Sequence, residues 1–224
     1  MSSTHVLIAS VPERQDNLHA LLADISQQTR PPDHVCVYLN GYSAPVSLPG
    51  IHVNWSPTRR AAGARWQYVE DIPVTDDAWV YVIDDDFRLQ PTYLEETAKS
   101  LTAGVGMVTW TGHTRLSTYH FLTPSATSLP LVIGGSGTSL IRAQCLYGIT
   151  RHRLSTELLS SGGDDELLVS ILMHERHWSI VRPAGQPPLT SVDSLQEAPT
   201  ASHRQHAIRW QSRRKQLAQE YGWS

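Results

Sequence analysis

Cysteine is nearly absent from this sequence, with only Cys36 and Cys145 in 224 residues. They lie far apart and form no Cys-x-x-Cys pair, so neither a disulfide framework nor a structural zinc site is suggested. A reducing, cytoplasmic setting is the resulting expectation. Long apolar runs are missing as well. No uninterrupted stretch approaches the roughly 20 residues that span a bilayer, and the N-terminus lacks a basic region followed by an apolar core, so neither a membrane span nor a signal peptide is expected. An excess of charge of one sign is also lacking, with 18 Lys and Arg against 21 Asp and Glu. The net charge of −3 excludes a strongly basic chain overall, while leaving room for a local basic patch. No internal repeat is present.

What remains is an ordinary globular composition, 40% hydrophobic and 17% charged, in a chain long enough for one large α/β domain. His5 to Ser10 (HVLIAS) predicts a buried strand that leaves into a loop at Pro12. Asp16 is placed to cap a helix with Leu18, Leu21, Leu22 and Ile25 on one face, stopping before Arg30-Pro31-Pro32. His34 to Leu39 (HVCVYL) predicts a second strand ending in Asn40-Gly41. Strand, helix and strand with short connections form a βαβ unit, which argues for a parallel sheet. A third strand over Ile51 to Trp55 leads to a helix start near Ala61 that carries Arg59, Arg60 and Arg65 beside Gly63. Arginines there oppose the helix dipole unless an anion is bound, so they mark either a phosphate site or a solvated surface helix.

The stretch from Trp79 to Arg88 (WVYVIDDDFR) carries the strongest chemical signal. Five β-prone residues give way to Asp84, Asp85 and Asp86, as a strand buried on both faces does on leaving a sheet. Strand ends are where α/β proteins hold ligands. Adjacent carboxylates repel one another and are costly to desolvate, so a divalent cation among them is the functional reading and a solvated acidic turn the alternative. Hard oxygen ligands favour magnesium, manganese or calcium over zinc. Further on, Gly134 to Thr138 (GGSGT) fits neither a hydrolase elbow nor a P-loop and reads as a turn that lets backbone approach a ligand. Asp164-Asp165-Glu166 opens a helix over Leu167, Leu168, Ile171 and Leu172, where one acid would suffice as a cap. From His203 onward, Arg204, Arg209, Arg213, Arg214 and Lys215 face a single acid, Glu220. That pattern predicts a helix with a basic face.

In this order the parts resemble the GT-A fold nucleotide-sugar-dependent glycosyltransferases, in particular the small family-2-like bacterial and phage members. The resemblance runs from about Val6 to His203 and rests on IAS-VPER, VYLNGY, the Gly63-Ala64-Arg65 helix start, IDDD, the glycine turn and GDDE. It implies one α/β domain over residues 1–202, a mostly parallel sheet with helices on both faces and a Rossmann-like nucleotide-binding half. The tail, residues 203–224, is expected to pack on the same domain. The resemblance further implies a metal-dependent, inverting transfer of a sugar from a nucleoside diphosphate. Asp86, Asp84 and His203, with His206 as substitute, would hold Mn2+ or Mg2+. Ser10, Pro12, Arg14, Asn40, Arg65, Asp84 and Asp85 would bind the donor. Gly135, Ser136 and Gly137 would lie on the acceptor side, and Asp165, or failing it Asp164, would be the catalytic base. The acceptor is expected to be saccharide-type or a hydroxymethylated DNA base. Two rivals are a sugar-phosphate nucleotidylyltransferase, against which SVPER lacks the glycine-rich loop of that class, and a nucleotide-sugar-binding module without turnover.

Overall fold

The computed structural model describes residues 2–58, 62–71, 77–115, 118–120, 122, 124–160, 164–192 and 213–223. The first half alternates strand and helix: β1 (Thr4–Ser10), α1 (Gln15–Ser26), β2 (His34–Asn40), β3 (His52–Ser56), α2 (Gln67–Asp71), β4 (Trp79–Asp84), β5 (Phe87–Leu89) and α3 (Tyr93–Lys99). The second half is richer in short strands: β6 (Val105–Thr109), β7 (Gly112–Arg115), β8 (Thr118–His120), β9 (Leu129–Leu131), β10 (Ile133–Gly134) and β11 (Thr138–Arg142). Helices α4 (Ser155–Ser160) and α5 (Asp165–Glu175) follow, then β12 (Ser179–Arg182), β13 (Leu189–Ser191) and a last helix, α6, at 213–220.

Eight strands form the main sheet in the order β3-β2-β1-β4-β11-β6-β12-β9. β3, β2, β1 and β4 run parallel, as the βαβ reading requires. β11 then enters antiparallel between β4 and β6, so the sheet is mixed in its second half. Along β4 the side chains alternate between two cores. Val80 and Val82 join Trp66, Leu158, Leu167 and Ile171 on one face, whereas Tyr81 and Ile83 join Leu18, Leu21, Tyr93 and Leu94 on the other. Helices therefore cover both faces, and the near-continuous apolar run before the aspartates is explained by burial from two sides.

Several local expectations are corrected. Asp16 sits in the first turn of α1 rather than at its cap, which Arg14 occupies without a capping bond. The helix expected near Ala61 begins instead as a 3-10 turn over Ala62–Trp66, with Arg65 in its last turn. Arg59 and Arg60 lie outside the described residues. Outside the main sheet, β7 and β8 join β10 in a separate sheet. Phe87–Leu89 pairs with Leu189–Ser191 as a further two-stranded sheet directly after the aspartates. α6 packs on the domain through buried Leu217 and Ala218, with Trp223 beyond it. The expected division at residues 202 and 203 falls outside the described residues. Among those residues no helix is long and apolar enough to cross a membrane.

Candidate active site

The parallel strands deliver their C-terminal ends to one edge of the sheet. Ala9 lies beside Asp84 in register, Ser10 beside Leu39, and the Asp84 amide donates to the Gly137 carbonyl at 3.0 Å. Ser10 and Asn40 thus end neighbouring strands, both buried, and Pro12 opens the short turn that brings Arg14 over the aspartates. Arg14 Nη1 donates to Asp85 Oδ1 at 2.9 Å and lies 3.7 Å from Asp86 Oδ2. Asp85 is buried, and burial raises its carboxyl despite the opposing pull of Ser10 and Arg14. Asp86 is pushed up to about 6, chiefly by burial and then by Asp84. Asp85 Oδ2 and Asp86 Oδ1 are buried atoms with no hydrogen-bond partner among the described residues. Such orphaned acceptors are uncommon in a folded chain and point to a missing positive partner.

On the other side of Asp84 stands Arg65, whose side chain is 2% exposed. Its Nη1 donates to Asp84 Oδ1 at 2.5 Å, and its Nη2 donates to Ser136 Oγ at 3.2 Å and to Asp165 Oδ2 at 3.0 Å. Burial opposes this charge, but Asp84 and Asp165 more than offset it and hold the guanidinium protonated. Trp66 Nε1 donates to the same Asp165 Oδ2 at 3.0 Å, while Ser136 Oγ donates to Asp165 Oδ1 at 3.3 Å. One buried arginine therefore joins the end of β4, the glycine turn and the start of α5. The glycines permit it. A Cβ at Gly137 would sit 2.0 Å from Asp84 Oδ2, and one at Gly135 would sit 1.9 Å from Thr111 Oγ1.

Asp164 caps α5 by accepting from the Leu167 amide at 3.3 Å and also receives Arg214 Nε from α6. Arg214 Nη2 is 3.7 Å from Glu166 Oε2. The Glu166 carboxyl is pushed up to about 8, by burial first and then by Asp164 and Asp165, against Arg214. Six carboxyl groups, on Asp84, Asp85, Asp86, Asp164, Asp165 and Glu166, thus share three guanidiniums, of Arg14, Arg65 and Arg214, among the described residues.

The fold is similar to that of S. aureus TarS. The crystal structure of TarS 1-349 in complex with UDP-GlcNAc matches with a TM-score of 0.59 at 10% identity, over 87% of this chain and 60% of that one. A second S. aureus TarS structure matches with a TM-score of 0.54 at 12% identity, over 86% of this chain and 37% of that one. At such identity the likeness speaks for the fold, and it bears out the GT-A-like α/β architecture. This chain spans less than two thirds of the length of either TarS structure. No family model matches the chain, and no curated protein matches it.

The expected site residues sort as follows. Arg14, Arg65, Asp84, Asp85, Asp86, Ser136, Gly137, Asp164 and Asp165 are brought together, with Ser10, Pro12 and Asn40 at the adjoining strand ends. His203 and His206 lie outside the described residues. Among those residues no three His, Cys, Asp or Glu side chains form a ready-made metal cage. Arg65, in the 3-10 turn directly before α2, is held by two carboxylates, Asp84 and Asp165. Arg213 and Arg214 do not form a free basic face either: Arg213 pairs with Glu157 at 2.6 Å and Arg214 turns onto Asp164. The contacts of Trp66 with Asp165 and of Arg214 with Asp164 are not legible in the sequence. A tryptophan in an apolar context reads as core, and nothing in the spacing couples residue 214 to residue 164.

Proposed function

We propose that this protein is a glycosyltransferase that moves a sugar from a nucleoside diphosphate donor to an acceptor hydroxyl with inversion. The observation that carries the reading is the pairing of two acidic clusters at the carboxyl edge of the sheet, one at a strand end and one at a helix start, with more carboxylates than guanidiniums to balance them. The UDP-GlcNAc bound to TarS supports a nucleotide-sugar donor.

The residues at the strand end suit a divalent cation. Magnesium and manganese use one or two carboxylates and complete their shell with water and substrate phosphates, so a full protein cage is not required. Asp86, with its unpartnered Oδ1, and Asp84 would hold the ion, which when bound neutralises charge on the departing diphosphate. Arg14, whose side chain is 30% exposed, remains within reach of the phosphates. Ser10, Pro12 and Asn40 line the strand ends where a nucleoside would lie.

Asp165 is the base in this reading. Its Oδ2 already accepts from Arg65 and Trp66, whereas among the described residues Oδ1 meets only the long contact from Ser136 and keeps a lone pair for a proton. As the acceptor oxygen bonds to the anomeric carbon, the bond to the diphosphate oxygen breaks and the hydroxyl proton passes to Oδ1. The pairing of Arg213 and Arg214 with carboxylates favours a saccharide-type acceptor over duplex DNA, which needs several unengaged cations for its phosphates. The test is release of nucleoside diphosphate from a panel of nucleotide sugars, with manganese or with chelator, offered oligosaccharides or hydroxymethylated duplex DNA. Metal-dependent release stimulated by a saccharide is expected. No release from any donor would refute the assignment.

A further inference from the structure

Arg65 is a basic residue beside the candidate donor site, and its simplest role would be to grip the diphosphate. The geometry denies it a free hand. Both terminal nitrogens are engaged, Nη1 by Asp84 and Nη2 by Ser136 and Asp165, and Nε is buried with no partner among the described residues. The side chain is 2% exposed, so a phosphate could reach this guanidinium only by opening a buried ion-pair network.

We propose that Arg65 is instead a positioning residue for the base: its guanidinium and the Trp66 indole together fix Oδ2 of Asp165, leaving Oδ1 to face the reacting hydroxyl. This inference rests on the glycosyltransferase reading above. Oδ2 has two lone pairs and two donors, each at 3.0 Å, so it is filled. Adjacent residues supply both donors, and both side chains are buried, so the clamp is part of the core rather than a surface contact. Its far arm reaches Asp84, which fixes the distance between the metal-side carboxylate and the base. Guanidinium is suited to that span because its nitrogens lie in one rigid plane and can serve two acids at once, whereas an ammonium on a flexible stem cannot reproduce both bonds. Ser136 lies between them, accepting from Arg65 and donating to Oδ1, so the glycine turn is aligned by the same bridge.

The two roles differ in what they do to kinetics. A diphosphate ligand contributes to donor binding, so its loss raises donor KM and weakens affinity for the free nucleoside diphosphate. A positioning residue acts on the step in which the proton moves, so its loss lowers kcat and leaves donor binding alone. Steady-state kinetics with the best donor, and calorimetric titration with UDP and manganese, should be run on wild type, Arg65→Lys and Trp66→Phe. Expected for Arg65→Lys is a fall in kcat on the order of 10 to 100-fold, with donor KM and UDP affinity within about 2-fold of wild type. Trp66→Phe keeps an aromatic ring and leaves the Arg65 charge in place while removing one donor to Oδ2, so a smaller fall in kcat with the same unchanged binding is expected. It also carries the test if Arg65→Lys does not fold. Weakened UDP binding in Arg65→Lys, or undiminished kcat in Trp66→Phe, would overturn the inference while leaving a working glycosyltransferase in place. Absence of turnover in the wild type would overturn the reading on which it rests.

Discussion

Replacing Asp86 by asparagine should stabilise the protein in the absence of metal. Burial, and then the neighbouring charge of Asp84, raise this carboxyl from 3.8 to about 6. The native state therefore holds the proton more tightly than the unfolded chain does, and ionising the group costs folding energy. That cost is absent below pH 3.8, grows as pH rises and is complete above about pH 6. In a fully buried group such a rise corresponds to about 3 kcal/mol. The side chain is 34% exposed, so solvent screening reduces the figure to about 1–2 kcal/mol. Asparagine keeps the shape and removes the charge. Urea denaturation in the presence of chelator should show Asp86→Asn more stable than wild type by about that amount at pH 7.5, with the gain fading towards pH 4. Manganese should stabilise the wild type and do little for the variant. A gain that is absent at pH 7.5, or equal at both pH values, would refute the claim that an uncompensated carboxylate sits at this strand end.

Two other substitutions follow from the same geometry. Gly137→Ala places a methyl group 2.0 Å from Asp84 Oδ2 and must push that carboxylate off Arg65; a loss of about 1–3 kcal/mol in denaturation and a sharp drop in transfer are expected, and wild-type values for both would show that the turn yields. Asp165→Asn should bind UDP and manganese as wild type does while transferring sugar on the order of 10²-fold more slowly or worse; normal transfer would reassign the base to a neighbour.

Much of the architecture was legible because its signals are local. Alternating strand and helix with short connections gave the parallel half, and burial of β4 from two sides gave the apolar run that ends in aspartates. The second half was harder to read. β11 pairs antiparallel to β4 through contacts distant in sequence, and β7, β8 and β10 are too short for a periodic pattern. The candidate site divided in the same way. Acidic residues at a strand end and at a helix start can be located by inspection, whereas their partners depend on the three-dimensional path. Arg65 looked like an anion ligand because residues next to one another in sequence suggested a basic helix start. Its actual neighbours come from 19 residues away, at Asp84, and 100 residues away, at Asp165. The same holds for Arg214, whose bond to Asp164 turns an apparent basic face inward.

The most direct measurement is the thermal shift of wild type and Asp86→Ala with UDP and other nucleoside diphosphates, each with manganese or with chelator. A ligand at about 100 times its Kd adds about 2.7 kcal/mol, which for a chain of this length raises Tm by about 5–10 °C. Such a rise is expected for at least one nucleoside diphosphate with wild type and manganese, and its loss on chelation or in Asp86→Ala. No rise with any nucleoside diphosphate, or an equal rise in the variant and in chelator, would contradict it.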